Sequence, residues 1–315
     1  MANPIPHITC THCGSSNHNL HCTAYDVEYF TSDESFSYYH CKDCDVIFLF
    51  PQPVDQLKQI YPPNYYAFDE NSRSFAFKVK SRLDRAFFKK HISSLPQSSL
   101  KVLDIGGGTG ILCDIVRLID KRVVLTQVVD IDEHAGDLAQ QKGHLYFQGR
   151  MEDFHATEKY DVIIMMNLIE HVSDPQMLLQ QARELLTPAG IIIIQTPNSK
   201  SLDARIFKRG SWGGYHCPRH WIIFNKENFT TAAAAQQLTP AFFAYTQGAA
   251  FWTVSILNWL HKKKMIKADA TKPLVYHSLF SPVSMIMALF DFARKPFSPL
   301  SQMLFVLKHD EKAKR

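Results

Sequence analysis

Residues 101–248 predict a doubly wound α/β domain, a parallel sheet with helices on both faces. Three observations carry that reading. Short β-branched runs alternate with stretches of helical periodicity, the order that right-handed β-α-β crossovers require. The runs are apolar almost throughout, as in Ile191-Ile-Ile-Ile194, and strands covered on both faces need that composition. A glycine-rich turn, Gly106-Gly-Gly-Thr-Gly110, stands where the first run passes into the first helical stretch.

The elements follow in order. Lys101–Ile105 reads as the first strand and Ile111–Ile119 as the helix behind it. Val124–Asp130, His144–Gln148, Tyr160–Met166 and Gly190–Gln195 read as further strands, with helices at Glu133–Lys142 and Pro175–Leu186. The second helix opens after Ser173-Asp174, which suits an N-cap ahead of proline. Ala241–Tyr245 and Met303–Leu307 are two more strand candidates. Three segments flank the 101–248 core. Residues 1–50 are rich in Cys and His. Residues 51–100 carry turn signals, then helical periodicity over Phe75–Ile92. Residues 249–315 are apolar and aromatic, with helical runs at Phe251–Leu260 and Val283–Ala293.

Composition excludes several classes. The 315 residues are 46% hydrophobic and 20% charged, ordinary for a chain with a real core. A net charge of +4 with no long basic stripe argues against nucleic acid as a partner. The basic residues gather at Lys262-Lys263-Lys264 and in the Lys312–Arg315 tail. No apolar run is long enough for a spanning helix, and the N-terminus lacks the pattern of a secretion signal. Four of the seven cysteines form two CxxC pairs, which points to metal, not disulfides, and to a cytoplasmic setting. Cys10, Cys13, Cys41 and Cys44 are the ligand set of a closed, tetrahedral, structural Zn2+ site. Cys113 and Cys217 read as ordinary buried or loop cysteines.

The glycine turn has its own chemistry. Gly106, Gly108 and Gly110 spell G-x-G-x-G, whereas a dinucleotide loop reads G-x-G-x-x-G. Asp104, two residues ahead, suits a cationic group such as an amino acid's ammonium better than a pyrophosphate. Asp130 ends the second strand, where a carboxylate meets ribose hydroxyls in such folds. Asp132 is the alternative, equally readable as a helix N-cap.

Val102–Gly110, Val129-Asp-Ile-Asp132, Tyr160-Asp-Val-Ile163, Ile169–Pro175 and Leu186-Thr-Pro-Ala-Gly190 resemble, in order, the motifs of class I S-adenosylmethionine (SAM)-dependent methyltransferases. The resemblance implies a Rossmann-like, seven-stranded sheet whose last two strands form an antiparallel pair at one edge. It implies SAM as cofactor. Asp104, Gly106, Gly107, Gly108 and Gly110 would hold its methionine part, Asp130 its ribose and Glu152 its adenine, with Asn167 at the methionine end and Ile131 a further cofactor contact. The family's usual Pro-Gly-Gly is Pro188-Ala189-Gly190 here.

Candidate catalysts face the loops after the fourth and fifth strands. Glu170-His171 resembles a stretch of ubiquinone-pathway O-methyltransferases that can hold a divalent metal; those enzymes have a further acid where Asn167 stands, so a catalytic metal does not carry over. Trp212–Trp221 offers Tyr215, His216 and His220 on a glycine-hinged stretch that suits a lid, Pro218 arguing against a helix. His171, His216, His220 and Tyr215 are therefore the catalytic candidates, with His216 or His220 as base. A four-cysteine module ahead of such a fold resembles methyltransferases of natural-product, deoxysugar and surface-glycan pathways, whose C-methylating members use the N-terminal part for the acceptor. Tyr61, Tyr65, Tyr66 and Phe68 are candidates for stacking on an acceptor, or for core filling. The expectation is methyl transfer to a small-molecule or glycan acceptor, O- or C-linked. The alternative is a catalytically inactive regulatory protein that docks through its zinc module. Residues 249–300 are expected as a helical insertion that caps the site, pairs two copies into a homodimer, or touches a membrane peripherally.

Overall fold

The structure, a computed structural model, describes residues 8–62 and 75–310. Tyr65, Tyr66, Phe68 and the Lys312–Arg315 tail lie outside the described residues. The N-terminal part forms strands β1 (His18–Ala24), β2 (Phe36–Cys41) and β3 (Ile47–Leu49), then a short helix α1 (Leu57–Ile60) and a long one, α2 (Phe75–Ile92). The core follows as β4 (Leu100–Ile105), α3 (Ile111–Ile119), β5 (Val123–Asp130), α4 (Glu133–Gln141), β6 (Leu145–Gln148), β7 (Tyr160–Met166), α5 (Pro175–Leu185) and β8 (Leu186–Pro197). After α6 (Leu202–Ile206) and the two-residue β9 (Ile222–Ile223) come α7 (Lys226–Ala235), β10 (Leu238–Thr246), α8 (Ala249–Lys262), α9 (Phe280–Arg294) and β11 (Gln302–His309).

The large sheet has seven strands in the order β10-β11-β8-β7-β4-β5-β6. Strands β4 to β8 are parallel, and β11 runs antiparallel to both β8 and β10. Alternation along each strand feeds two cores. Leu103, Ile105, Ile163, Ile192 and Ile194 enter one, while Val102, Val162, Ile164, Ile191 and Ile193 enter the other. Helix starts are fixed by local chemistry. Asp132 accepts from Ala135 N at 2.9 Å, and Asp174 accepts from Met177 N at 3.0 Å ahead of Pro175. Asp132 thus acts as a cap. Strand β8 starts at Leu186, so the Pro188-Ala189-Gly190 turn expected before it lies within the strand.

The second sheet has the order β1-β2-β3-β9. Its last strand comes from the far side of the core, Ile47 pairing with Ile223 and Phe48 with Ile222. The N-terminal strands are thereby sewn onto residues 212–224. Trp212, Tyr215, Cys217 and Trp221 share one buried cluster with Tyr38, Ile47 and Leu49. The glycine-hinged stretch is consequently a buried wall and not a mobile lid: His216, Arg219 and His220 are buried as well. Arg219 donates to Asp26 Oδ2 at 2.9 Å and to the Ile60 carbonyl at 2.6 Å, tying the wall to the β1–β2 connection and to α1.

Candidate active site

The chain runs outward from β4 to β5 and β6, then returns to place β7 on the other side of β4. Ligands bind at such a reversal, beyond the carboxyl ends of the strands. A cavity of about 670 Å3 lies there, within the range of small-molecule sites. Gly106, Asp130, Ile131, Glu152 and Asn167 line it from the core. Glu28 and Tyr61 line it from the N-terminal part, His171 from the turn after β7, His216 and His220 from the wall, and Phe251, Val254 and Phe280 from the C-terminal helices.

The glycine turn is shaped by its neighbours. Gly110 has φ +77° and starts α3, a conformation that a side chain would strain. A Cβ on Gly107 would stand 2.5 Å from Asp104 Cγ, so the backbone closes directly over that carboxyl group. Asp104 is buried, and its Oδ2 has no hydrogen-bond partner among the described residues. Burial, helped by the charge on Asp130, pushes its pKa up to about 8. Asp130 is held differently: it accepts from Gly108 N at 2.8 Å and from Asp132 N at 3.1 Å. Asn167 sits at φ +53°, its side-chain oxygen accepting from Gln302 Nε2 at 3.0 Å, with both residues on the cavity wall. Asp104, Gly107, Gly108 and Gly110 lie behind the lining.

The histidines converge. The ring of His220 lies 4.6 Å from that of His171 and 5.0 Å from that of His216. His171 Nδ1 is 2.9 Å from the Tyr61 hydroxyl, and burial lowers its pKa to about 3. Burial also drives His220 well below its ordinary value, with Nδ1 2.8 Å from the Gly214 carbonyl. The nearest carboxylate oxygen to His220, Glu170 Oε1, stands off at 3.8 Å. His216 has a carboxylate at hydrogen-bond distance, its Nδ1 lying 2.9 Å from Glu28 Oε1. Glu28 belongs to the β1–β2 connection, where no motif marks it; only the folded contact finds it. Tyr215 is placed elsewhere: it does not line the cavity, and its hydroxyl donates to the Lys208 carbonyl at 2.9 Å. Glu170 is fully buried, accepts from Thr196 Oγ1 at 2.9 Å, and is raised by burial to a pKa of about 8. One ligand atom each from Glu170, His171 and His220 falls within 4.8 Å of the others, and so do the sulfurs of Cys10, Cys13, Cys41 and Cys44.

A family described as "Methyltransferase domain" matches residues 72–241, more than half of the chain. The chain belongs to the methyltransferase-domain family. A ubiquinone biosynthesis O-methyltransferase from Bartonella bacilliformis is 32% identical over 145 residues, 43% of this chain and 53% of that protein. One from Bradyrhizobium sp. is 31% identical over 120 residues, 35% of this chain and 46% of that one. The chain thus spans about half the length of the curated relatives it matches. Among solved structures, coclaurine N-methyltransferase bound to N-methylheliamine and SAH superposes with a TM-score of 0.50 at 15% identity, over 77% of this chain and 76% of that one. That likeness shows the fold, the Rossmann-like methyltransferase sheet.

Proposed function

We propose that the protein is a SAM-dependent methyltransferase that acts on a small-molecule acceptor, with His216 as general base and zinc as a structural ion. The observation that supports this most is one continuous cavity that joins Asp130 and Asn167 to the paired His216 and Glu28. The residues fit the cofactor. Asp104 is a buried acid with an unpartnered oxygen under the glycine turn, a place for the ammonium of an amino acid. Asp130 suits ribose hydroxyls, and Ile131 and Glu152 line the position of the adenine. Bound SAM supplies an electrophilic methyl on a sulfonium and leaves as the neutral thioether.

The rest is done by this chain. An acceptor hydroxyl gives its proton to His216 as its oxygen takes the methyl group. With Nδ1–H donated to Glu28, the basic nitrogen is Nε2, and the carboxylate stabilises the imidazolium that forms. His171 and His220 are weak bases in their buried places and serve as wall, and Tyr215 packs behind them. The four clustered cysteines fit zinc. Cys10–Cys44 and Cys13–Cys41 sulfurs stand 3.7 and 3.6 Å apart, against edges of about 3.8 Å for a tetrahedron with ~2.3 Å metal–sulfur bonds. Nothing in the geometry favours the inactive docking protein. Calorimetric titration with SAM and, separately, NADH tests the reading. Micromolar SAM binding that Asp130→Ala abolishes, with no NADH signal, is expected; a folded, zinc-loaded protein that binds no SAM would refute it.

A further inference from the structure

Helix α9 is built inside out. Its inward side carries Asp291 and Arg294, paired at 2.8 Å, and Ser284, bonded to Thr253 at 2.8 Å. Asp291 also accepts from Gly248 N at 3.0 Å and Trp252 Nε1 at 3.1 Å, so the polar side is committed to α8. The outward side is apolar: Met285 is 65% exposed, Ile286 59%, Leu289 66% and Phe292 80%, and Phe297 just beyond is 87% exposed. These positions follow helical spacing, so they form one stripe. A water-facing helix normally shows the opposite arrangement, and a contiguous apolar stripe of this kind marks a contact surface.

The charge around the stripe says what it contacts. Residues 249–300 hold six lysines and one arginine against two aspartates, while the whole chain is only +4. The remainder of the protein therefore has no net positive charge; the excess falls within the segment of chain that carries the apolar stripe. The contacts Gly248–Asp291 and Thr253–Ser284 make α8 and α9 antiparallel. Exposed Lys263 and Lys264 thus stand at the end where α9 starts, and exposed Lys295 at the other. Cations flanking an apolar face suit an anionic lipid surface, in which the stems of lysine stay in the apolar layer and the ammonium groups reach the headgroups. We infer that the α8–α9 pair docks this protein on an anionic bilayer through the Met285–Phe297 stripe. The same pair lines the cavity with Phe251, Val254 and Phe280, which sets the cavity beside the docked face.

The test is flotation of the purified full chain with vesicles of phosphatidylcholine alone or with roughly one-third phosphatidylglycerol, together with light scattering of the lipid-free protein. Native protein is expected to float with the anionic vesicles and to lose at least tenfold in partitioning at high salt. The Leu289→Asp/Phe292→Asp variant is expected to stay behind. The Lys263→Glu/Lys264→Glu variant, which leaves the apolar stripe intact, is expected to bind anionic vesicles several-fold more weakly. Unchanged circular dichroism shows that the variants fold. Native protein that floats with neither vesicle overturns the inference. So does a native dimer that ignores vesicles and that Leu289→Asp/Phe292→Asp turns into monomers, since a second copy then covers the stripe.

Discussion

Asp104→Asn removes the one buried acid that the glycine turn closes over, and the structure fixes the sign of several consequences. Burial raises the pKa of Asp104 from 3.8 to about 8. The folded value lies above the unfolded one, so the folded state binds the extra proton. The contribution of Asp104 to stability is therefore greatest at low pH and falls as pH climbs from about 4 to about 8. Four units at 1.36 kcal/mol each make this about 5 kcal/mol at most. Asn cannot ionise, so the variant should lack that slope and be the more stable apoprotein near pH 8. Ligand binding should move the opposite way. An ammonium beside the carboxyl group favours its charged form, so at pH 7 SAM binding should expel close to one proton from the native protein. Affinity should then rise with pH up to about 8. In the Asp104→Asn protein the charge-assisted bond, worth about 1.5–3 kcal/mol, is gone, which weakens SAM binding roughly 10- to 150-fold. Calorimetry in two buffers of different ionisation enthalpy reads the proton directly. Native protein that releases no proton, or an Asn variant with native affinity, would show that Asp104 does not meet the ligand.

Three further predictions rest on the wall and the cysteines. His216→Asn should lower kcat by about 10²–10⁴ with little change in SAM affinity, as expected for loss of a base. Glu28→Gln should lower kcat less, leave the SAM Kd unchanged and displace the pH–rate profile; an unmoved profile would make Glu28 a structural partner only. Cys41→Ser, or chelation, should release about one zinc per chain by metal assay and lower stability by several kcal/mol, roughly 10–20 °C in Tm. Native metal content after the substitution would rule the four-cysteine site out.

The sheet is readable from the sequence because its signals are local. Near-continuous apolar strands, a glycine turn and the caps at Asp132 and Asp174 each need only neighbours in sequence. The proposed cofactor end of the cavity is readable for the same reason, since Gly106, Asp130 and Asn167 sit at strand ends. The proposed acceptor end is not. Strand β9 is two residues long and is a strand only because Ile47 and Phe48 pair with it from far away in the chain. No periodicity can announce that. The same pairing buries Trp212–Trp221, so glycine and proline content that suggests a hinge describes a tightly turned wall instead. Glu28 carries no signal at all, because a lone glutamate in a polar loop is ordinary until a histidine is folded against it. Tyr215 fails as a lining candidate for the converse reason: its neighbours in sequence reach the cavity while its own ring turns into the Tyr38 cluster.

These long-range contacts make the N-terminal hairpin part of the site. Strands β1 and β2 hold the cysteine group at one end, through Cys41, and present Asp26 and Glu28 in the connection at the other. Asp26 is fully buried against Arg219, and its carboxylate also accepts from Tyr29 N and Thr31 N, which ties the connection to the wall. Glu28 is then set against His216, and Tyr38 donates to the carbonyls of Tyr215 and His220. Asp104 and Asp130 rest instead on the parallel strands β4 and β5 and on the glycine turn. Loosening the hairpin by removing zinc should therefore disturb the base before it disturbs the cofactor end. The Cys41→Ser protein, kept below its lowered Tm, should lose turnover while retaining most of its SAM affinity. If the two properties fell together, the hairpin would be supporting the whole fold and not the acceptor side in particular.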